Sequence, residues 1–423
     1  MFLCSLKLTD YTQSMTFFYH IFLALFYFGT CVASLFDEKI RKFLIGRKGI
    51  FGTLKKADLK NKNVIWFHAA SLGEFEQGRP VIEEIKRRDK NVTILLTFFS
   101  PSGYEIRKNY AGADVVVYLP FDFTWMARKF VRLANPKAVF FIKYEFWHNY
   151  LNQLHQKNIP TYCFSSIFRP QQVFFKWYGG WYRSMLKYFN HIFVQNQQSK
   201  ELLASIGITN TSICSDTRFD RVYELASQAK QLPVIEKFIN GHKAFIAGSS
   251  WPADEKLIIQ YFNAYPNPVK LIFAPHEIKE DGINSIVSSI NKKVIRYSQA
   301  EKVNLSEYDV LIIDNVGMLS SVYRYGYAAY IGGGFGKGIH NILEAATFGI
   351  PVVFGPNYKK FREAVELAEK GGAFPIANIN ELTKILDKIH TDKVFLEKAG
   401  TISRDYVADG RGATGLILDK TGF

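Results

Sequence analysis

Two glutamates follow apolar runs at points where the chain could aim them at a substrate. In VIWFHAASLGEFEQGRP, Gly73 would allow a tight turn, and Glu74 would stand at the mouth between two domains, where a carboxylate can act as a general base. Ser71 and Glu74 also have capping-box spacing, with the carboxylate bonding back to the Ser71 amide, and spacing alone favours that cap. In AVFFIKYEFW, Glu145 would either be buried among aromatics, hold a basic partner, or be solvated in a loop. SPSGYE at 100 to 105 offers serines before a helix, better suited to capping than to holding an anion.

The second half of the chain repeats this layout with smaller residues. AGSSWPADE places Ser249 and Ser250 just before Pro252 in a helical first turn, where free amides could hold a phosphate or the hydroxyls could simply cap. Pro275-His276 and Val316-Gly317-Met318 open two more loops on the same edge. The densest signal is IGGGFGKGIHNILE. Its consecutive glycines permit close backbone approach, and His340-Asn341 would begin a helix carrying Glu344 one turn in. An acid so placed can accept from two ribose hydroxyls; the alternative is a glycine-rich turn with a solvated Glu344. No Walker A string occurs, which disfavours ATPase chemistry. Cys4, Cys31, Cys163 and Cys214 are widely separated, so neither a zinc site nor a disulfide framework is indicated, and a reducing compartment fits.

The elements that must position these residues alternate. Apolar runs at 64–67, 92–98, 138–142, 191–194 and 211–214, then at 244–247, 269–274, 310–313, 328–331 and 351–354, are spaced by amphipathic stretches. This pattern gives βαβ units and parallel sheets, with ligands at the carboxyl ends of strands. The reading is α/β: two doubly wound Rossmann-like domains facing a cleft. The first covers 49–225 and the second 240–400, joined by a linker at 226–239, with a tail at 401–423 that could pack back on the first domain. Residues 17–36 have 16 of 20 positions apolar and no Asp, Glu, Lys or Arg, as expected of a membrane anchor. Nine Lys or Arg against Asp58 between Lys39 and Lys62 would hold the rest of the chain in the cytoplasm and touch anionic headgroups. The excess of 53 basic over 38 acidic residues, +15 in all, predicts a polyanionic partner, and no nucleic-acid-binding signature is present.

Taken together, HAASLGE, SPSGYE, YLPFD, YEFWHN, SDTRFD, AGSSWPADE and GIHNILEAATFGIPVVFGP resemble the 3-deoxy-D-manno-octulosonic acid (Kdo) transferases of lipopolysaccharide synthesis, from the anchor to about residue 375. The resemblance implies a GT-B fold and an inner-membrane enzyme facing the cytoplasm. It also implies transfer of Kdo from CMP-Kdo to a lipid A precursor without a metal or other cofactor. It implies Glu74 as general base, over the cap, and Glu145 and Arg218 as transition-state stabilisers. CMP would contact Ser249, Ser250, Pro275, His276, Val316, Gly317, Met318, Asn341, Ile342, Leu343 and Glu344. The chain departs from the family pattern at Arg218, His276, Glu277, Met318 and Ile342, which bears on phosphate contact more than on the reaction. Competing readings are a GT-B transferase with a UDP- or CDP-linked donor, and a non-catalytic, membrane-tethered binder of anionic lipid.

Overall fold

The computed structural model describes residues 2–265 and 269–423 and divides into two compact units, Met1–Arg218 with Gly412–Phe423, and Phe219–Arg411. The first unit holds a parallel sheet ordered β3-β2-β1-β4-β5-β6-β7. Its strands are β1 Asn63–Ala69, β2 Val92–Phe98, β3 Val115–Tyr118, β4 Ala138–Ile142, β5 Thr161–Ser166, β6 His191–Val194 and β7 Thr211–Ile213. From Val64 to Ala69 every residue of β1 is buried, as is all of β4, because helices cover both faces of the sheet. Such strands read as continuous apolar runs rather than as alternation, which is why they are visible in the sequence. The strand order reverses between β1 and β4, so the loops that carry Glu74 and Glu145 leave neighbouring strands at the switch point.

Three N-terminal helices, α1 (Phe2–Ala33), α2 (Glu38–Ile45) and α3 (Ile50–Ala57), precede β1, and α4 (Leu72–Arg88) follows it. Within α1, Ser14–Ala33 is long and apolar enough to cross a membrane. One side of α1 is fastened to the first unit. Tyr19 donates to Asp122 at 2.7 Å, Trp181 Nε1 donates to Thr16 at 3.1 Å, and Tyr27 meets Phe121 edge-on. Phe17, Phe18, Phe22, Leu25 and Phe28 remain exposed. The N-terminal segment is therefore part of the first unit and not a body apart from it.

One of the nine basic residues read as a cluster, Arg47, is half-buried with its guanidinium turned inward. Arg47 lies against the rings of Phe43, Phe99, Tyr118 and Phe121 and donates to the carbonyls of Phe43, Leu119 and Phe99. Burial drops its pKa to about 9. Its cage is assembled from residues distant in sequence, so charge spacing alone could not show it.

The second unit carries the order β10-β11-β9-β8-β12-β13-β14. The strands are β8 Ala244–Ser250, β9 Lys270–Pro275, β10 Val294–Arg296, β11 Val310–Ile312, β12 Gly326–Ile331, β13 Val352–Phe354 and β14 Ala373–Pro375. Strands β3, β5, β10 and β14 were not expected. Three of them have only three or four residues, and β5 is largely polar or small (TYCFSS).

The expected boundaries shift. Residues 226–239 are not a linker: Ile235, Phe238 and Ile239, with Phe219 and Val222, are buried in the core of the second unit beside Ile246 and Leu311. Residues 401–411 also stay with that unit, through the helix Lys393–Asp409 and buried Val407. Only 412–423 joins the first unit, where Ile417 and Leu418 pack with Ile65, Phe67 and Phe140.

Candidate active site

Helix α4 begins with Ser71 as N-cap, its Oγ accepting from the Glu74 amide at 3.4 Å. The Glu74 carboxylate reaches back to the Ala70 amide at 2.5 Å, one residue before the amide that the capping box called for. Capping and a chemically poised acid therefore coexist. Gly73 makes no tight turn; it is an exposed residue in the helix's first turn, with open space where a side chain would be. Gly78 is the glycine that matters for packing, since a Cβ there would come within 2.3 Å of Ile142 on β4. That close approach presses α4 onto the strand that delivers Glu145.

Burial pushes Glu74 up to about 7, and the charge of Glu145 adds to the rise, against the Ala70 amide, which favours the carboxylate. Glu145 is not a solvated loop residue. It lies 3.1 Å from His68 Nε2 and accepts from Trp147 Nε1 at 2.8 Å, while Nδ1 of the buried His68 meets Thr97 Oγ1 at 2.8 Å. The chain enters this loop through Lys143 at φ 65, a left-handed conformation costly for a side-chain-bearing residue and typical of functional loops. His68 stood inside a matching string without an assigned role. Its partners are Thr97 on β2 and Glu145 just after β4, so only the sheet order brings them together.

Arg218 is held within the first unit. Its guanidinium grips Asp216 through Nε at 3.1 Å and Nη2 at 2.9 Å, and Gln77 and Gln195 donate to the same carboxylate. Burial alone would push Asp216 up; Arg218 and the donors instead hold it at about 2. Gln77 lies on α4 three residues beyond Glu74, just under a full turn, so a single helix ties the acid to the Arg218 pair.

In the second unit the switch point lies between β8 and β12. Ser249 has φ 51, and a Cβ on Gly332 would clash with the Ser249 carbonyl at 2.1 Å, so the two loops meet backbone to backbone. The serines do not cap the following helix, Pro252–Ala264. Buried Asp254 does, accepting from the Trp251 amide at 3.0 Å, the Gly333 amide at 2.9 Å and Tyr330 at 2.8 Å, while Ser250 donates to Glu255. His276 stacks on Trp251 and on His340, with centroids 4.7 and 4.3 Å apart, and Trp251 Nε1 donates to His340 at 3.2 Å. Burial, then His276, lowers His340 to about 4, so it is neutral near pH 7.

Pro275 ends β9 beside this stack. The helix expected from His340 starts only at Leu343 and runs one turn to Ala346. Glu344 is its second residue, accepting from Asn341 Nδ2 at 3.2 Å; Ile342 and Leu343 are buried beneath. Val316 and Gly317 (φ 98) form an exposed loop, with Met318 packed against the core. Among the described residues, no three of His, Cys, Asp and Glu converge as a metal would require.

Residues 46–221 match the family model described as 3-deoxy-D-manno-octulosonic-acid transferase (kdotransferase). A 3-deoxy-D-manno-octulosonic acid transferase of Aquifex aeolicus is 28% identical over 348 residues, 80% of this chain and 90% of that one. Another, from Haemophilus influenzae, is 25% identical across 91% of this chain and 92% of its own. Among solved structures, the UDP-GlcNAc 2-epimerase of Neisseria meningitidis matches with TM-score 0.58 at 14% identity, covering 85% of this chain and 99% of that one. MurG of Acinetobacter baumannii matches at 0.53 and 12% identity, covering 85% and 98%. These two share the fold alone. With two parallel sheets of GT-B type and this run of similarity, the chain resembles the 3-deoxy-D-manno-octulosonic acid transferases.

Proposed function

We propose that the protein transfers Kdo from CMP-Kdo to a hydroxyl of a lipid A precursor at the cytoplasmic face of the bacterial inner membrane, with inversion and without a metal. Similarity to Kdo transferases supports glycosyl transfer; donor, acceptor and residue roles are our reading. The observation that carries it is Glu74, an acid pushed up to about 7 at a switch-point loop, next to a Glu145 fixed by His68 and Trp147. A base with a pKa near the working pH has the best compromise between being deprotonated and being basic.

In this reading Glu74 takes the proton of the acceptor hydroxyl as its oxygen attacks the anomeric carbon, and CMP leaves with the bond pair. Glu145 stabilises positive charge developing on the sugar ring. Arg218 enters already bound to Asp216, so it acts as an oriented donor more than as a net charge. The exposed His276, stacked on Trp251 and neutral His340, offers a planar face for the cytosine base, and Glu344 with Asn341 suits the ribose hydroxyls. The α1 apolar face and the remaining basic flank supply the anionic-membrane contact.

The test is mass spectrometry of a lipid A precursor incubated with the detergent-solubilised protein and CMP-Kdo in EDTA. A mass increase of one or more Kdo units, suppressed by CMP but not by UMP or UDP, supports the reading. No increase, or suppression by UDP, overturns it.

A further inference from the structure

A cavity of about 690 Å³ in the first unit adjoins Glu145 and Trp147, but the rest of its lining has no role in the chemistry above. It is walled by Phe18, Tyr19 and Phe22 of α1 on one side and by Trp181, Tyr182 and Met185 of the helix Gly180–Leu186 on the other; Val173 and Phe174 line it as well. Its polar end is Glu145 with Trp147, the residues bound to His68 beside Glu74. Phe18 and Phe22 also belong to the exposed apolar face of α1, so that face and the cavity wall are continuous. Trp177, 90% exposed, and Tyr178 follow Phe174 in the loop that reaches this helix, the residue types that settle at a membrane–water interface.

We infer that this cavity is an acyl-chain slot: it takes one fatty-acyl chain of the lipid acceptor from the leaflet along α1 and so presents the headgroup hydroxyl to Glu145 and Glu74. The inference rests on the lipid-acceptor reading. An apolar, aromatic-lined cavity of this size suits a flexible hydrocarbon chain, and the one carboxylate in its lining, Glu145, gives the polar headgroup a place to sit. Helix α1 is then a wall of the substrate site as well as a membrane contact. Each methylene seated in the slot improves acceptor binding about fourfold, the equivalent of its transfer from water.

Two measurements on the full-length protein test this. In the first, KM and kcat are compared for an acylated and a fully deacylated acceptor in wild type, in Val173→Trp, which fills the slot from a half-buried position, and in Phe18→Trp on the opposite wall. The slot predicts a KM for the acylated acceptor raised at least tenfold in either variant, with kcat within about twofold and the deacylated acceptor unaffected. Equal effects on both acceptors, or none on either, overturn it. In the second, a phospholipid with a diazirine at its acyl terminus is photolysed with the protein in nanodiscs and the labelled peptides are mapped. Label on 144–147 and 173–185, lost from there in Val173→Trp but retained on α1, supports the slot even if no sugar transfer is found, and then only the transferase reading falls. Label confined to the outer face of α1 removes the slot while leaving transfer intact.

Discussion

The two switch points are built alike and equipped differently. At β1/β4 the loops carry ionisable groups in a buried network, Glu74 raised to about 7 and Glu145 on His68, and Gln77 of α4 joins it to Asp216 after β7, held down to about 2 by Arg218. At β8/β12 they carry glycines, a left-handed Ser249 and two rings, Trp251 and His340, that stack with His276 from the end of β9, and their buried acid, Asp254, is spent on tying two loops together. The same topology thus yields one region suited to moving a proton and another suited to receiving a flat, polar ligand. Burial of charge marks the first; exposed planar surface and bare backbone mark the second.

If that division holds, substitutions should separate rate from nucleotide affinity. Glu74→Gln should lower kcat/KM by roughly 10² to 10⁴ while the Kd for CMP, measured by calorimetry, is unchanged. It should also stabilise the fold at alkaline pH. With a folded pKa of about 7 against an ordinary 4.5, Glu74 is best accommodated below 4.5, and stability is lost as pH rises through 7, up to about 3 kcal/mol at pH 8. Urea unfolding at pH 5 and pH 8 reads this directly.

Asp216→Asn should cost about 3 kcal/mol near neutral pH, because the Arg218 charge loses its buried partner. The native Asp216 contribution is full above 3.8 and disappears as pH falls through about 2. In the second unit, Trp251→Ala should weaken CMP binding roughly tenfold or more, as expected for a lost stacking platform, without moving the pH profile. Smallest, Tyr19→Phe should cost about 1 kcal/mol in thermal unfolding by removing the bond from α1 to buried Asp122.

How much of this was legible depended on whether the signal was local. Strands such as β1, β2 and β4 announced themselves as apolar runs because both faces are buried, and Glu74 and Glu145 stood out as candidates soon after those strands, although spacing alone favoured a cap for Glu74 and the base role came from the resemblance. The His68–Glu145 contact, the Gln77–Asp216–Arg218 cluster and the Trp251–His276–His340 stack were not, since each joins residues delivered by different strands. The boundary at 218/219 was missed for a related reason. Residues 226–239 look polar in sequence, yet Ile235 and Phe238 on one helical face are fully buried.

We assign proton transfer to Glu74, with its acidity set by burial and by Glu145. The pH dependence of kcat/KM for sugar transfer, in wild type and in Glu145→Gln, tests it most directly. The rate should rise with pH through a midpoint of about 7, and that midpoint should fall in Glu145→Gln because a neighbouring negative charge has been removed. A wild-type midpoint near 4.5, or one that stays at 7 in the variant, would contradict the account.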